Sequence, residues 1–214
     1  MTKPNQHANR RYHTLLPLAG SVVFVLLYVA AAHFYPGGSQ ADAKAKGFSW
    51  TQNYWCNLLN EKAMNGEPNP ARPVAMAAMG VLAFTLVSFW MLLPQRAALQ
   101  KSHRRLIQVS GVACVVTGFF IFTGFHDVLI NVASLFGFIA TAGIFVSLYR
   151  LKWMRLFWFG MFNLALIALN NSLYYGGGLH YLPVVQKITF FCFLLWVCFI
   201  SFCLYRAPVP AQTL

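Results

Sequence analysis

Residues 183–205, PVVQKITFFCFLLWVCFISFCLY, decide the fold class of this chain. A helix needs about 20 consecutive, mostly apolar residues to cross the hydrocarbon core of a bilayer. This stretch reaches that length with Lys187 as its single charged residue. We therefore predict a transmembrane helix that begins at Pro183, where a missing backbone N–H costs nothing.

Five further apolar stretches of similar length precede it. The six predicted spans cover residues 15–34, 73–93, 106–125, 128–149, 156–175 and 183–205. The chain has 214 residues and is 9% charged, whereas a soluble domain carries about 25% charged residues. We expect an all-α integral membrane protein with one domain, residues 1–214, and six transmembrane helices. Small residues should allow close approach of helices at Gly111, Gly118, Gly137 and Gly143.

The charged residues predict the orientation of the spans. Eleven of the 16 Lys and Arg residues fall on one side of this threading, and all four acids fall on the other. Positively charged loops stay in the cytoplasm, so both termini are predicted to be cytoplasmic, in the inner (cytoplasmic) membrane. The same loops account for the net charge of +12, and no nucleic-acid binding is expected.

Residues 1–32 allow a second interpretation. A basic start, an apolar run and Ala30-Ala31-Ala32 are similar to a cleavable signal peptide. The apolar run is long for such a peptide, and an even number of spans fits the charge distribution. A retained first span is therefore favoured.

The first outer loop, residues 36–72, is the only long connection. Within 48–60, apolar residues recur at helical spacing and three asparagines, Asn53, Asn57 and Asn60, fall on another face. This pattern predicts a short amphipathic helix at the membrane interface. The asparagines either face water or face a pocket between the spans, because amphipathicity does not choose the buried side.

Polar side chains gather at the outer ends of the spans, and such groups in a membrane protein mark functional sites. His126 and Asp127 begin the fourth span and are the predicted catalytic residues. The predicted substrate-binding residues are Asn53, Asn57, Asn131, Asn171, Tyr175, Gln186 and Lys187. The Lys187 amine either reaches the interface along its own stem or pairs with Asp127 or a lipid phosphate.

Three outer histidines, His33, His126 and His180, are the candidate ligands of a metal ion, with zinc expected. Three protein ligands and an open fourth position are typical of catalytic zinc. A zinc-bound water could then attack an ester, amide or phosphoester of a lipid, with Asp127 as base. Two alternatives stay open, because no HExxH or CxxC motif is present: a metal-free His126–Asp127 acid–base pair, and interfacial histidines with ordinary hydrogen bonds.

Several short motifs resemble the domain-of-unknown-function 998 family of prokaryotic membrane proteins. The run Asn53-Tyr54-Trp55-Cys56-Asn57-Leu58 is similar to its N-Y-x-S-D-L signature. Asn69-Pro70, His126-Asp127 and Gln186-Lys187 are similar to further parts of its pattern. The resemblance covers most of the chain. It implies a six-helix bundle with both termini inside and no established activity.

A remoter likeness leads to the superfamily of alkaline ceramidases and progestin–adiponectin receptors. Its members are membrane hydrolases, or receptors resembling them, with a Ser, an Asp and three His at a zinc site. Cys56 stands where the signature has Ser and Asn57 where it has Asp, which removes a proton-accepting carboxylate. The superfamily also has seven spans where this chain has six predicted ones.

The expected function is binding of a lipid or amphiphile in an outward-facing polar pocket, with zinc-dependent lipid hydrolysis as its enzymatic form. The expected partners are membrane lipids, together with a protein partner or a second copy of the chain. One alternative is a structural or assembly partner in a membrane complex. Another is a small transporter, which would need polar groups through the membrane depth.

Overall fold

The computed structural model describes residues 12–96, 99–120 and 126–207, and these residues form helices without a β-strand. The side chains of Arg96, His126, Asp127 and Ile130 lie outside the described part. The α-helices are α1 (Leu16–His33), α2 (Arg72–Arg96), α3 (Lys101–Phe119), α4 (His126–Arg150), α5 (Met154–Tyr175) and α6 (Leu182–Arg206). Two short 3₁₀ helices cover His13–Leu15 and Trp55–Leu59.

Five segments of this structure are long and apolar enough to cross a membrane. They are His13–His33, Arg72–Gln95, Asn131–Arg150, Met154–Tyr175 and Leu182–Arg206. These helices are those of a multi-pass membrane protein. The predicted span 106–125 coincides with α3 as far as Phe119, and its residues 121–125 lie outside the described range. The orientation of the helices stays a prediction.

The chain divides into two compact units, and α1, α2, α5 and α6 contribute one end to each. The first unit comprises Met1–Ser21, Leu82–Phe159 and Trp196–Leu214. Its core surrounds Trp196, whose ring centroid lies 6.3 Å from that of Phe89 and 6.0 Å from that of Phe145. The Trp196 indole N–H donates to the carbonyl oxygen of Leu156 at 2.7 Å, so the buried nitrogen is satisfied.

Glycines bring α3 close to its neighbours in this unit. A Cβ added at Gly111 would lie 2.3 Å from Cγ of Trp90 in α2. A Cβ at Gly143 of α4 would lie 2.2 Å from Cγ1 of Ile107 in α3. Both distances are far below van der Waals contact. The prediction that Gly111 and Gly143 allow close helix approach is confirmed.

The second unit comprises Val22–Val81 and Gly160–Leu195. It contains the 34–71 connection, which runs from the end of α1 to the start of α2. Isolated bridges tie Gly37 to Lys46 and Lys62 to Pro68. Gly38 has a φ of 81°, and a Cβ there would lie 2.3 Å from the backbone nitrogen of Asn65. Only glycine fits this turn.

The helix in the connection is shorter than the sequence predicts. Helical structure covers Trp55–Leu59 alone and buries Leu58 and Leu59, while the preceding residues of the predicted helix, 48–54, are irregular. Asn53 explains this difference, because its side-chain oxygen accepts a hydrogen bond from the Ser49 N–H at 2.8 Å. Such local side-chain bonds give the backbone an alternative to the helix.

Candidate functional site

The 34–71 connection is organised around buried asparagines. Asn53 is fully buried, and its side-chain N–H groups donate to the carbonyl oxygen of Gly38 at 2.8 Å and to Oδ1 of Asn57 at 3.3 Å. Oδ1 of Asn57 also accepts from the Tyr54 N–H at 2.7 Å and from Nε2 of Gln40 at 3.2 Å. Asn53 therefore uses both side-chain polar atoms inside the connection, and Asn57 uses its side-chain oxygen there. Substrate contact by either residue stays a prediction.

A third asparagine joins this network to the start of α2. Nδ2 of Asn69 lies 3.2 Å from the carbonyl oxygens of Asn57 and Leu58 and 2.9 Å from that of Asn60. Its Oδ1 accepts from the Ala71 N–H at 3.1 Å. The three carbonyls belong to the end of the 3₁₀ helix and its C-cap, which would otherwise lack donors. Asn69 therefore caps that helix.

Two side chains of α6, Gln186 and Lys187, form hydrogen bonds with the backbone of the 34–71 connection. Nζ of Lys187 donates to the carbonyl oxygen of Asn53 at 2.5 Å and to that of Pro183 at 2.9 Å. Oε1 of Gln186 accepts from the Trp55 N–H at 3.2 Å. The structure thus brings together four predicted site residues, Asn53, Asn57, Gln186 and Lys187. It also gives the Lys187 ammonium backbone carbonyls as partners, and no carboxylate among the described residues contacts it.

Aromatic rings surround the Lys187 ammonium. Nζ lies 5.6 Å from the ring centroid of Phe48 and 5.9 Å from that of Trp55. Trp50 packs edge-on against both rings, at 5.2 Å and 6.1 Å. Cation–π contacts of this length contribute about 0.5–1 kcal/mol when exposed and more when desolvated. We call Phe48, Trp50, Trp55 and Lys187 the aromatic cage.

The aromatic cage holds an unsatisfied donor. Nε1 of Trp55 is buried and has no hydrogen-bond partner among the described residues. The opposite side of the residue is well anchored, because its carbonyl oxygen accepts from the Tyr28 hydroxyl at 3.0 Å and its ring meets that of Tyr28 edge-on at 4.5 Å. The indole is therefore held in place with its N–H unused. Sequence reasoning missed these rings, although three large aromatics within eight residues of a polar loop were a visible signal.

Cys56 follows the cage residue Trp55 in the chain. Burial raises the pKa of the Cys56 thiol, and its own backbone and the charge of Lys187 lower that pKa by less. Cys56 is nevertheless exposed at the surface, so protein surrounds its sulfur in part and solvent still reaches it. The thiol is consequently protonated at neutral pH and is not an activated nucleophile.

The other predicted site residues that the structure describes are exposed, and no contact with the cage is described for them. His33 ends α1 and His180 precedes α6, and both are exposed, with rings against Phe34 and Tyr181. Asn171 and Tyr175 are exposed on α5, and Tyr175 is 84% exposed. Asn131 is exposed on α4, in the first unit. None of the contacts described for these residues reaches Lys187.

The three-histidine metal site stays a prediction. Within the described residues, no group of three or more His, Cys, Asp or Glu side chains is close enough to hold a metal ion. The side chains of His126 and Asp127, the predicted catalytic pair, lie outside the described part.

Comparison of the chain with protein-family models, curated proteins and solved structures finds no match. The resemblance to the domain-of-unknown-function 998 family therefore stays a prediction.

Proposed function

We propose that this protein is a multi-pass membrane protein that binds an amphiphile with an anionic headgroup at the aromatic cage. In the threading favoured by the charge distribution, the cage faces outward at the surface of the cytoplasmic membrane. The proposal concerns binding. Zinc-dependent hydrolysis by His126 and Asp127 stays a separate prediction from the sequence.

A surplus of hydrogen-bond donors supports the proposal. An ammonium group has three N–H donors, and Lys187 directs two of them to carbonyl oxygens. The buried Trp55 indole N–H beside it has no acceptor within the described structure. An unsatisfied buried donor costs about 1–3 kcal/mol, so an incoming acceptor is favoured. A carboxylate or phosphate oxygen offers several lone pairs, and it brings the negative charge that no described neighbour of Lys187 supplies.

The surroundings of these donors favour an amphiphile over a small polar anion. The cage is built from aromatic rings, and Trp and Tyr side chains are enriched where a membrane protein meets the headgroup layer. Trp50 is 45% exposed and packs edge-on against Trp55, so rotation of the Trp50 side chain would uncover the Trp55 ring. An acyl chain could then follow the apolar surface of α6, where Ile188 and Phe191 are exposed.

A binding titration with matched amphiphiles tests the proposal. Purified protein in dodecyl maltoside is titrated with radiolabelled palmitate and, separately, with hexadecyltrimethylammonium, which has the same chain length and the opposite charge. We expect saturable binding of palmitate alone. Equal affinity for the two amphiphiles would contradict the proposed preference for an anionic headgroup.

Two variants locate the binding site. Trp55→Phe keeps a ring and deletes the unsatisfied N–H, and we expect about a tenfold loss of palmitate affinity, since a hydrogen bond to a charged group contributes about 1.5–3 kcal/mol. Trp158→Phe, on an exposed position of α5, is the control and should bind as the wild type does. Thermal unfolding of each variant shows whether the fold is retained. Unchanged affinity in a folded Trp55→Phe protein would count against the cage.

A further inference from the structure

A second cationic site lies in the first unit, at the turn between α4 and α5. Leu151, Lys152 and Trp153 form this turn. The Lys152 N–H donates to the carbonyl oxygen of Tyr149 at 3.1 Å and the Trp153 N–H donates to that of Leu148 at 2.9 Å. These two bonds are the Schellman pattern of a helix C-terminus. The turn therefore has a fixed geometry.

Lys152 occupies the position of this pattern that glycine ordinarily takes. Its φ is 58°, and it is the only non-glycine residue with a positive φ in the described structure. The left-handed conformation is unfavourable for a residue with a Cβ. Strained residues of this kind are concentrated at functional sites.

The turn borders a cleft of about 420 Å³. Its lining consists of Lys152, Trp153, Met154, Arg155, Leu156 and Cys203. Ligand sites in proteins have volumes of about 300–1,000 Å³, so the cleft has room for a phosphate with its glycerol. Its two charged residues are both cations.

The charge of the cleft is uncompensated. Lys152 and Arg155 are exposed, and neither forms an ion pair within the described structure, where the one salt bridge joins Arg72 to Glu61. Nζ of Lys152 lies 5.2 Å above the ring of Tyr149, which holds the ammonium at the turn.

The position of the cleft indicates where its ligand comes from. The turn joins two candidate membrane spans, Asn131–Arg150 and Met154–Tyr175, and Cys203 lies near the end of a third. Ends of spans lie at the level of the lipid headgroups. Trp153 at the cleft and the exposed Trp158 one turn further into α5 are the residue types that occupy this level.

We infer that this cleft binds the phosphate group of an anionic phospholipid, with Lys152 and Arg155 as the charged contacts. The inference does not depend on the proposed function of the aromatic cage, because every residue that carries it lies in the first unit. A free phosphate shares the chemistry of the headgroup, but it would lack the apolar contacts that flank the turn.

Native mass spectrometry of delipidated protein in detergent tests this inference. The protein is titrated with phosphatidylglycerol and with phosphatidylcholine of identical acyl chains, and inorganic phosphate is added as a competitor. We expect preferential binding of phosphatidylglycerol that millimolar phosphate does not displace. Equal binding of the two lipids would overturn the inference, and so would displacement by phosphate at lipid-like concentrations.

Substitutions assign the preference to the cleft. Lys152→Gln with Arg155→Gln should lower the affinity for phosphatidylglycerol about 25-fold, because each cation near an anionic lipid surface contributes about fivefold. The matched control, Lys44→Gln with Lys62→Gln, removes two exposed cations of the 34–71 connection and should leave the preference unchanged. An equal loss in the control pair would contradict the assignment.

Lys152→Gly separates binding from folding. Glycine is the favoured residue at this φ, so the variant should unfold at the wild-type temperature or above it. It should nevertheless lose part of the preference for phosphatidylglycerol. A folded Lys152→Gly protein with the full wild-type preference would exclude Lys152 as a ligand.

Discussion

At the scale of single residues, the sequence predicts that the Lys187 amine needs a partner or water, but it does not predict which atom accepts its hydrogen bond. Its position early in an apolar stretch predicts that the amine reaches the interface or finds a partner. The structure provides a partner in the carbonyl oxygen of Asn53. The sequence could not identify this acceptor, because every residue has a backbone carbonyl and the two positions are 134 residues apart.

The pH dependence of Cys56 alkylation is a prediction at the scale of one residue. Burial raises the pKa of its thiol, and only the thiolate is alkylated. We expect the rate of Cys56 alkylation by iodoacetamide to be low at neutral pH and to rise with pH, with a midpoint above that of an unstructured cysteine peptide. Mass spectrometry of the peptide that contains Cys56 measures the rate apart from the other four cysteines.

The charge of Lys187 supplies the internal control for this measurement. Lys187 lowers the pKa of Cys56, so Lys187→Met should move the alkylation midpoint to higher pH. Lys62→Met, an exposed cation of the same connection, should leave the midpoint in place. A midpoint in the wild type at or below that of the peptide would contradict the burial described for Cys56.

At the scale of elements, the length of each apolar stretch predicts the long helices. Hydrogen bonds from side chains to the nearby backbone shorten the predicted amphipathic helix of the 34–71 connection. The predicted spans 156–175 and 183–205 differ from α5 and α6 by at most two residues at either end. The predicted amphipathic helix over 48–60 is reduced to Trp55–Leu59. Periodicity marks the face that is buried, but it does not reveal that Asn53 bonds to the backbone of Ser49 and Gly38.

The packing of α3 against α4 gives a prediction at this scale. A Cβ at Gly143 would overlap Ile107 of α3, and overpacking costs about 1–3 kcal/mol. Gly143→Ala should therefore lower the free energy of unfolding, measured by titration with sodium dodecyl sulfate. Gly80→Ala is the control, because a Cβ there meets nothing within 4 Å, and it should be neutral or stabilise α2 by up to about 1 kcal/mol. Equal effects of the two substitutions would show that α3 and α4 are not in close contact.

At the scale of the whole molecule, composition predicts the class and leaves the function open. A chain that is 58% hydrophobic and 9% charged cannot cover a soluble surface, and the apolar helices agree. The sites depend on which side chains meet across long sequence separations. Both units contain cations that form no ion pair with an acid among the described residues. They are Lys187 in one unit and Lys152 with Arg155 in the other, and they fit a protein that meets anionic groups of its surroundings.

The central claim is that an anionic amphiphile binds beside Lys187 and Trp55. Photo-crosslinking tests it most directly, with a palmitate that carries a diazirine close to its carboxylate and mass spectrometry to locate the adducts. The account predicts adducts within residues 48–56 or the first two turns of α6, which unlabelled palmitate suppresses and Trp55→Phe reduces. Adducts spread evenly over the apolar helices and insensitive to the competitor would contradict it.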